Sequence, residues 1–213
     1  MIAETKPTQV QYAPLTLTMG PTLTVLHLGC GRHKRTMADL GLEIPGYTGD
    51  VRVVNLDGNP DVQPDVVCWL GRDRIDLPDD SVDLVVAMHV LEHIGVQGQT
   101  EEWFHFWEEL YRVMKPNGQV AFECPYYSSL WAWADPTHVR AISEMSFLYF
   151  NQDAYRCGGA IPDYRIRCDF QNGGFVTRAD STNADVAAKE TVSFINGTLV
   201  ARKPLRPWWE DAR

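Results

Sequence analysis

Three groups of residues in this sequence have the types and spacing to do chemistry. The first is Gly29-Cys30-Gly31 in VLHLGCGRHK, where an apolar run stops at glycine and a predicted helix follows. Glycine adopts φ > 0 and lets a ligand approach the backbone, and a helix start offers free N–H groups. The second is Asp57, at the end of the next apolar run in VVNLDGNP. A carboxylate facing the glycine turn across the switch point of an open sheet can accept hydrogen bonds from the two hydroxyls of a ribose. Taken separately, the glycines could serve a purely steric turn, and Asp57-Gly58 could be no more than a turn-forming pair.

The third group is YYSSLWAWADPTHVR, which gathers Tyr126, Tyr127, Trp131, Trp133, Asp135, His138 and Arg140 within fifteen residues. Aromatic walls with a few polar groups suit a small-molecule pocket. The alternative is that the aromatics are core and Asp135-Pro136-Thr137 is a turn capping a helix from Ser143. Where a hydroxyl must lose a proton, histidine has the suitable pKa. His138, with Asp135 near it, is the first candidate for a general base and His93 the second. A structural hydrogen bond from His138 to Asp135 or to the backbone remains open.

The elements that would position these residues alternate in character. LTVLHLG, VRVVNLD, DLVVAMHVL and QVAFECP are short runs, apolar on both faces, as in parallel strands covered on both sides. HKRTMADLG and TEEWFHFWEELYRVMK read as helices between them. In the second, Trp103, Phe106, Trp107, Leu110, Val113 and Met114 share a face, Glu101 and Glu102 stand in the first turn, and Lys115 to Gly118 end it. The alternation predicts an α/β doubly wound sheet. Only GNPDVQP separates VVNLD from PDVVCWL, too little for the usual helical crossover, and Pro60 and Pro64 would break a helix there, so that crossover is expected to be shortened.

Beyond residue 160 the pattern becomes antiparallel, in YRIRCDFQ and TVSFINGTLVARKP. Asn196-Gly197 is a two-residue hairpin signal. Either it joins TVSFI to TLVARK, or YRIRCDFQ pairs with the last strand and the dipeptide is a local bend. One domain over residues 1–213 is expected, with an arm over 1–22 and an insertion on the acceptor side over 126–160.

Composition narrows the function further. The chain has 213 residues, is 45% hydrophobic and 22% charged, and offers no run of about 18 apolar residues that could span a membrane. The start has no basic segment followed by an apolar one, so a cytoplasmic location is expected. A formal net charge of −9 disfavours nucleic acid as partner, because backbone phosphates are held by clustered Lys and Arg. Arg32, His33, Lys34 and Arg35 form one basic cluster, but at a helix start. The five cysteines include no CxxC pair, which argues against a disulfide framework and a zinc site, and no metal is expected.

Taken in order and at these spacings, VLHLGCGRHKR, VVNLDGNP, LPDDSVDLVVAMHVLEHI and ELYRVMKPNGQVAFECP resemble the class I S-adenosylmethionine (SAM)-dependent methyltransferases, in particular the branch with LPDDSVD followed by HVLEHI. The resemblance covers about residues 23 to 125 and continues more weakly to LVARKP. It implies a Rossmann-like, mostly parallel seven-stranded sheet with an antiparallel C-terminal strand. It also implies SAM as cofactor, S-adenosylhomocysteine (SAH) as product, and methyl transfer to a small-molecule or glycan-like acceptor. Position by position, Gly29, Cys30 and Gly31 would face the methionine part, Asp57 would hold the ribose, and Gly58 would make room for the adenosine. Trp69 and Leu70 would flank the adenine, and His89 would stand near the sulfonium. Glu92 and His93 would lead towards the acceptor.

Two positions depart from the family. An acid is usual where His27 stands, as anchor for the methionine amino group. Asp is frequent where Trp69 stands; an indole accepts no hydrogen bond but could stack on adenine, or be a buried packing residue. Three other readings compete. A non-catalytic SAM- or SAH-binding protein of the same fold is suggested by His27 and the short crossover. An NAD oxidoreductase would need a third glycine where Lys34 stands. An amino-methylating nucleic-acid enzyme would carry Asn/Asp-Pro-Pro-aromatic where MHVLEHI stands.

Overall fold

The computed structural model describes residues 20–32, 47–157, 161–180 and 192–211. The expected N-terminal arm up to residue 19, the basic residues His33, Lys34 and Arg35, and the helix expected over HKRTMADLG lie outside the described residues.

Five parallel strands come first: β1 (Thr22–Leu28), β2 (Asp50–Asp57), β3 (Val66–Val67), β4 (Val82–Met88) and β5 (Met114–Pro125). Then β6 (Phe170–Arg178) and β7 (Phe194–Ala201) complete a seven-stranded sheet in the order β3-β2-β1-β4-β5-β7-β6. Only β7 runs against its neighbours, paired antiparallel to β5 and to β6. This is the expected doubly wound sheet with its antiparallel C-terminal strand. The order reverses between β1 and β4, so the C-terminal ends of these strands open the crevice in which such sheets bind ligands.

Alternation along the strands divides the core. Leu26, Leu28, Val85, Ala87, Val120 and Phe122 point to one face, where the helix α1 (Glu101–Val113) lays Trp103, Phe106, Trp107 and Leu110 against them. Val25, Leu84, Val86 and Ala121 bury the smaller cluster on the other face. Among the described residues the short helices α2 (Trp131–Ala134), α3 (Gln152–Arg156) and α4 (Trp208–Asp211) follow.

The shortened crossover is real. Between β2 and β3 the chain makes a single 3-10 turn over Pro60–Val62, with the Asn59 side chain accepting from Asp61 N at 2.9 Å and Gln63 at φ 53° turning the chain back. Asp65 then closes the loop: its N–H donates to the Asn55 carbonyl and its Oδ2 accepts from Asn55 N, both at 2.8 Å. The Asp65 carboxylate thus does for Asn55 what a longer β3 would have done.

The hairpin at Asn196-Gly197 does not exist. Both residues lie inside β7, opposite Glu123 and Phe122 of β5 and Val176 and Phe175 of β6. Glycine is required there for room, since a Cβ on Gly197 would stand 2.5 Å from both Phe122 Cζ and Phe175 Cδ1. YRIRCDFQ pairs with β7 only from Phe170 onward; residues 164–169 are outside any strand, and the glycine pair Gly173-Gly174 carries β6 past a register shift.

Candidate active site

The glycine turn leaves β1 with Gly29 at φ 60° and Gly31 at φ 55°. A Cβ on Gly29 would lie 2.9 Å from Val90 Cγ2, so the position is closed to other residues by conformation and by space. Asp57, at the end of β2, ties this turn to the next loop: its Oδ2 accepts from Gly31 N and its Oδ1 from Asn59 N, each at 2.8 Å. Each oxygen keeps a lone pair for a further donor.

A cavity of about 350 Å³ opens beside them, lined by Gly29, Asp57, Gly58, Asn59, Cys68, Trp69, Leu70, His89, Val90, His93 and Ile94. Six of the expected cofactor residues therefore share one wall system: Gly29, Asp57, Gly58, Trp69, Leu70 and His89. Trp69 is 53% exposed, which removes the buried packing alternative. Its backbone N–H donates to Asp73 at 2.7 Å, and Arg72 lies over the ring at 5.3 Å. The face of Gly58 is turned to this indole, for a Cβ there would come within 3.1 Å of Trp69 Cε3. His27, Cys30 and Gly31 are not among the lining residues. His27 is buried, its Nδ1 3.0 Å from Oδ1 of Asn55, its cross-strand partner in β2.

His89 follows directly on β4 at φ 55°, with Nε2 3.3 Å from Glu123 and Nδ1 3.4 Å from Glu92. Burial pulls its pKa down, but the two carboxylates outweigh that and raise it to about 9. Burial likewise would push the Glu123 carboxyl up, yet His89 and Arg178, which donates from Nη2 at 2.9 Å, hold it below the usual range. Glu123 was not among the expected site residues. Its signal was a lone charge in the apolar run QVAFECP; Arg178, over fifty residues further on, carried none.

The three residues expected to handle a proton come together. The rings of His93 and His138 meet edge to face at 4.8 Å between centroids, and His138 Nε2 lies 3.9 Å from Glu92 Oε1 and 4.0 Å from Asp135 Oδ2. Asp135 is chiefly a turn residue: its Oδ1 accepts from Thr137 N at 2.8 Å and Thr137 Oγ1 at 2.7 Å, and its carbonyl accepts from His138 N. Thr137 then holds His93 Nδ1. Asp135 does not cap the helix from Ser143, where Ser143 and Ser146 cap the 3-10 turn themselves.

None of the aromatics of YYSSLWAWADPTHVR lines the cavity. Trp131 donates its indole N–H to Asp180 at 3.0 Å, Trp133 donates to the Tyr127 carbonyl, and Tyr126 donates to Glu144. Arg140 stacks on Trp103 at 4.4 Å and donates to the carbonyls of Ile94, Val96 and Gln99, which shapes the loop after His93.

Residues 26–122 match the family model described as a methyltransferase domain. The fold around that domain is one that SAM-dependent methyltransferases share. A SAM-dependent methyltransferase from Archaeoglobus fulgidus shares the fold at TM-score 0.52 and 18% identity, over 84% of this chain and 86% of its own. The N-methyltransferase NodS from Bradyrhizobium japonicum does so at TM-score 0.51 and 11% identity, over 85% and 86%. A phosphoethanolamine N-methyltransferase from Haemonchus contortus in complex with S-adenosyl-L-methionine does so at TM-score 0.50 and 11% identity, over 88% of this chain and 50% of its own. No match to a curated protein sequence was found.

The residues of this cavity fit SAM. The glycines at 29 and 58 leave the space that side chains would fill, the Asp57 carboxylate has acceptor capacity for a ribose diol, and the exposed Trp69 face is available to a flat base. Among the described residues no helix is long and apolar enough to cross a membrane.

Proposed function

We propose that this methyltransferase transfers the SAM methyl group to a small-molecule or glycan-like acceptor presented at the His93 end of the cavity. The observation that supports this reading is that a single cavity joins the Gly29, Asp57 and Trp69 surfaces to His93, behind which stand His138 and Glu92.

When bound, SAM supplies a methyl group on a sulfonium, a leaving group that needs no further activation. The chain's own task is then alignment and exclusion of water. Gly29 and Gly58 admit the cofactor, Asp57 orients the ribose, and Trp69 covers the base. Methylation of an oxygen or nitrogen acceptor would release one proton, which one of the two imidazoles beside the cavity would take. His138 is the first candidate and His93 the second, with Asp135 holding their turn.

Calorimetric titration with SAM and with SAH tests the cofactor half. Saturable heat for both is expected, weakened at least about tenfold, or 1.4 kcal/mol, by Asp57→Ala; no heat for either overturns it. Release of SAH across a panel of hydroxylated metabolites and sugars tests the transfer. Tight cofactor binding without turnover on any of them would support the second reading, a non-catalytic SAM-binding protein. That reading is favoured by His27, whose Asn55 bond stands where the family's acidic anchor is usual.

A further inference from the structure

The polar group behind His93 is larger than proton transfer requires. Glu92 is 1% exposed, and neither carboxylate oxygen has a hydrogen-bond partner. A buried carboxylate in that condition costs several kcal/mol unless a cation or donor meets it. His89 meets Oε1 as an ion-pair partner at 3.4 Å and His138 lies 3.9 Å from the same oxygen, so that Oε2 is the oxygen left with nothing to balance its burial. The His138 Nδ1 is buried and has no hydrogen-bond partner either. His93, by contrast, is oriented: its Nδ1 lies 3.1 Å from the Thr137 carbonyl, an acceptor only, which fixes the proton on Nδ1 and leaves Nε2 with its lone pair.

One ligand atom from each of Glu92, His93 and His138 lies within 4.8 Å of the others. We propose that these three residues bind a divalent first-row transition cation, of which Zn2+ is the probe. Two imidazoles and a carboxylate are the donor set such ions take, and a carbonyl on the remote ring nitrogen is the support that metal-binding histidines have. Atoms bound to one zinc at about 2.0–2.2 Å stand within roughly 3.5 Å of each other, so the observed set needs a contraction of about 1 Å. The cysteine spacing spoke against a zinc site; this site uses none of the cysteines.

Three protein ligands leave a coordination position open, and His93 already borders the cavity. Resting on the methyl-transfer reading, the site then selects acceptors with an oxygen that can coordinate the ion. Such a hydroxyl would lose its proton to solvent water at lower pH, and the imidazoles would act as ligands instead of taking the proton themselves.

The test is titration of the full chain with Zn2+ and with Co2+, followed calorimetrically and by the cobalt visible spectrum, in a Cys157→Ser background because Cys157 is an exposed thiol. One equivalent is expected, with the weak absorption of nitrogen and oxygen ligands and no thiolate charge-transfer band. His93→Ala and His138→Ala should each weaken binding about 10- to 100-fold while the melting curve persists. Glu92→Gln, which keeps the volume, should do the same. Unaltered metal affinity in all three variants overturns the proposal, as does Glu92→Gln weakening SAM alone. Zn2+ binding without SAM binding would sink the cofactor reading and leave this site standing; SAM binding without Zn2+ binding would do the reverse.

Discussion

Gly29 and Trp69 show how differently two residues of one cavity can be constrained. Gly29 is fixed twice, by φ 60° and by Val90 Cγ2 at 2.9 Å from any Cβ. Gly29→Ala should therefore cost about 1–2 kcal/mol of backbone strain plus a clash, seen as a lower melting temperature together with weaker SAM binding. The Trp69 backbone is tied to Arg72 and Asp73, while its ring, with Arg72 over it, faces the cavity. If the indole stacks on adenine, Trp69→Ala should weaken SAH binding by about 1–3 kcal/mol, while Trp69→Phe should keep affinity within a few fold. Equal losses in both variants, measured calorimetrically, would assign the ring to packing against Gly58 instead. The glycines and Asp57 were legible in the sequence because each sits where an apolar run stops. Thr137 and Arg178 were not, because what makes them matter is contact across 44 and 55 residues.

Elements were legible where the period was unbroken, as in β1, β2, β4, β5 and α1. They were misread where a local signal competed with packing: Asn196-Gly197 reads as a turn, but the rings of Phe122 and Phe175 decide for a strand. The stretch between β3 and β4 has no helix, and α1 holds it through Glu102, His105, Glu109 and above all Arg112. Arg112 donates to the Leu77 and Ile75 carbonyls and pairs with Asp79 and Glu109, while Glu109 also accepts from Ile75 N. Burial would raise the Glu109 carboxyl, yet Arg112 and the Ile75 N–H bring it below its usual range. A lowered folded pKa gives stability that is present above the unfolded value, about 4.3, and is lost as pH falls through the folded one. Glu109→Gln should thus lower the melting temperature at pH 7, and the gap to the parent should close below about pH 4 in melts across a pH series. Asp83, the last acid of LPDDSVD, supplies a control at the other end of β4. It is buried, accepts from Thr24 N at 2.8 Å, and is met by Lys115 Nζ at 2.8 and 2.9 Å. Asp83→Asn should cost about 1–3 kcal/mol in a denaturant melt with no change in SAM affinity, and a parallel loss of affinity would mean the motif acts on the cofactor directly.

At the scale of the whole molecule the cavity is made of loops from four strand ends, those of β1, β2, β3 and β4, that touch one another through few bonds. Asp57 binds the first two together, the crossover between β2 and β3 has only a three-residue turn, and the His93 loop depends on Arg140 and Thr137 from the far side of β5. The opposite half is closed by interlocking pairs: β7 lies between β5 and β6, and Arg202 bonds Asp153 and Asp169. A ligand filling the cavity contacts all four loops at once, so its binding energy ties them to one another. SAH at 100 times its Kd should add about 2.7 kcal/mol, which for a chain of this size raises the melting temperature by roughly 5–11 °C. Hydrogen exchange should slow at residues 57–59, 68–71 and 89–94 and stay unchanged in β6 and β7. Protection spread evenly over the sheet would instead mean that the two halves unfold as one unit and that the cavity loops are not its weak side.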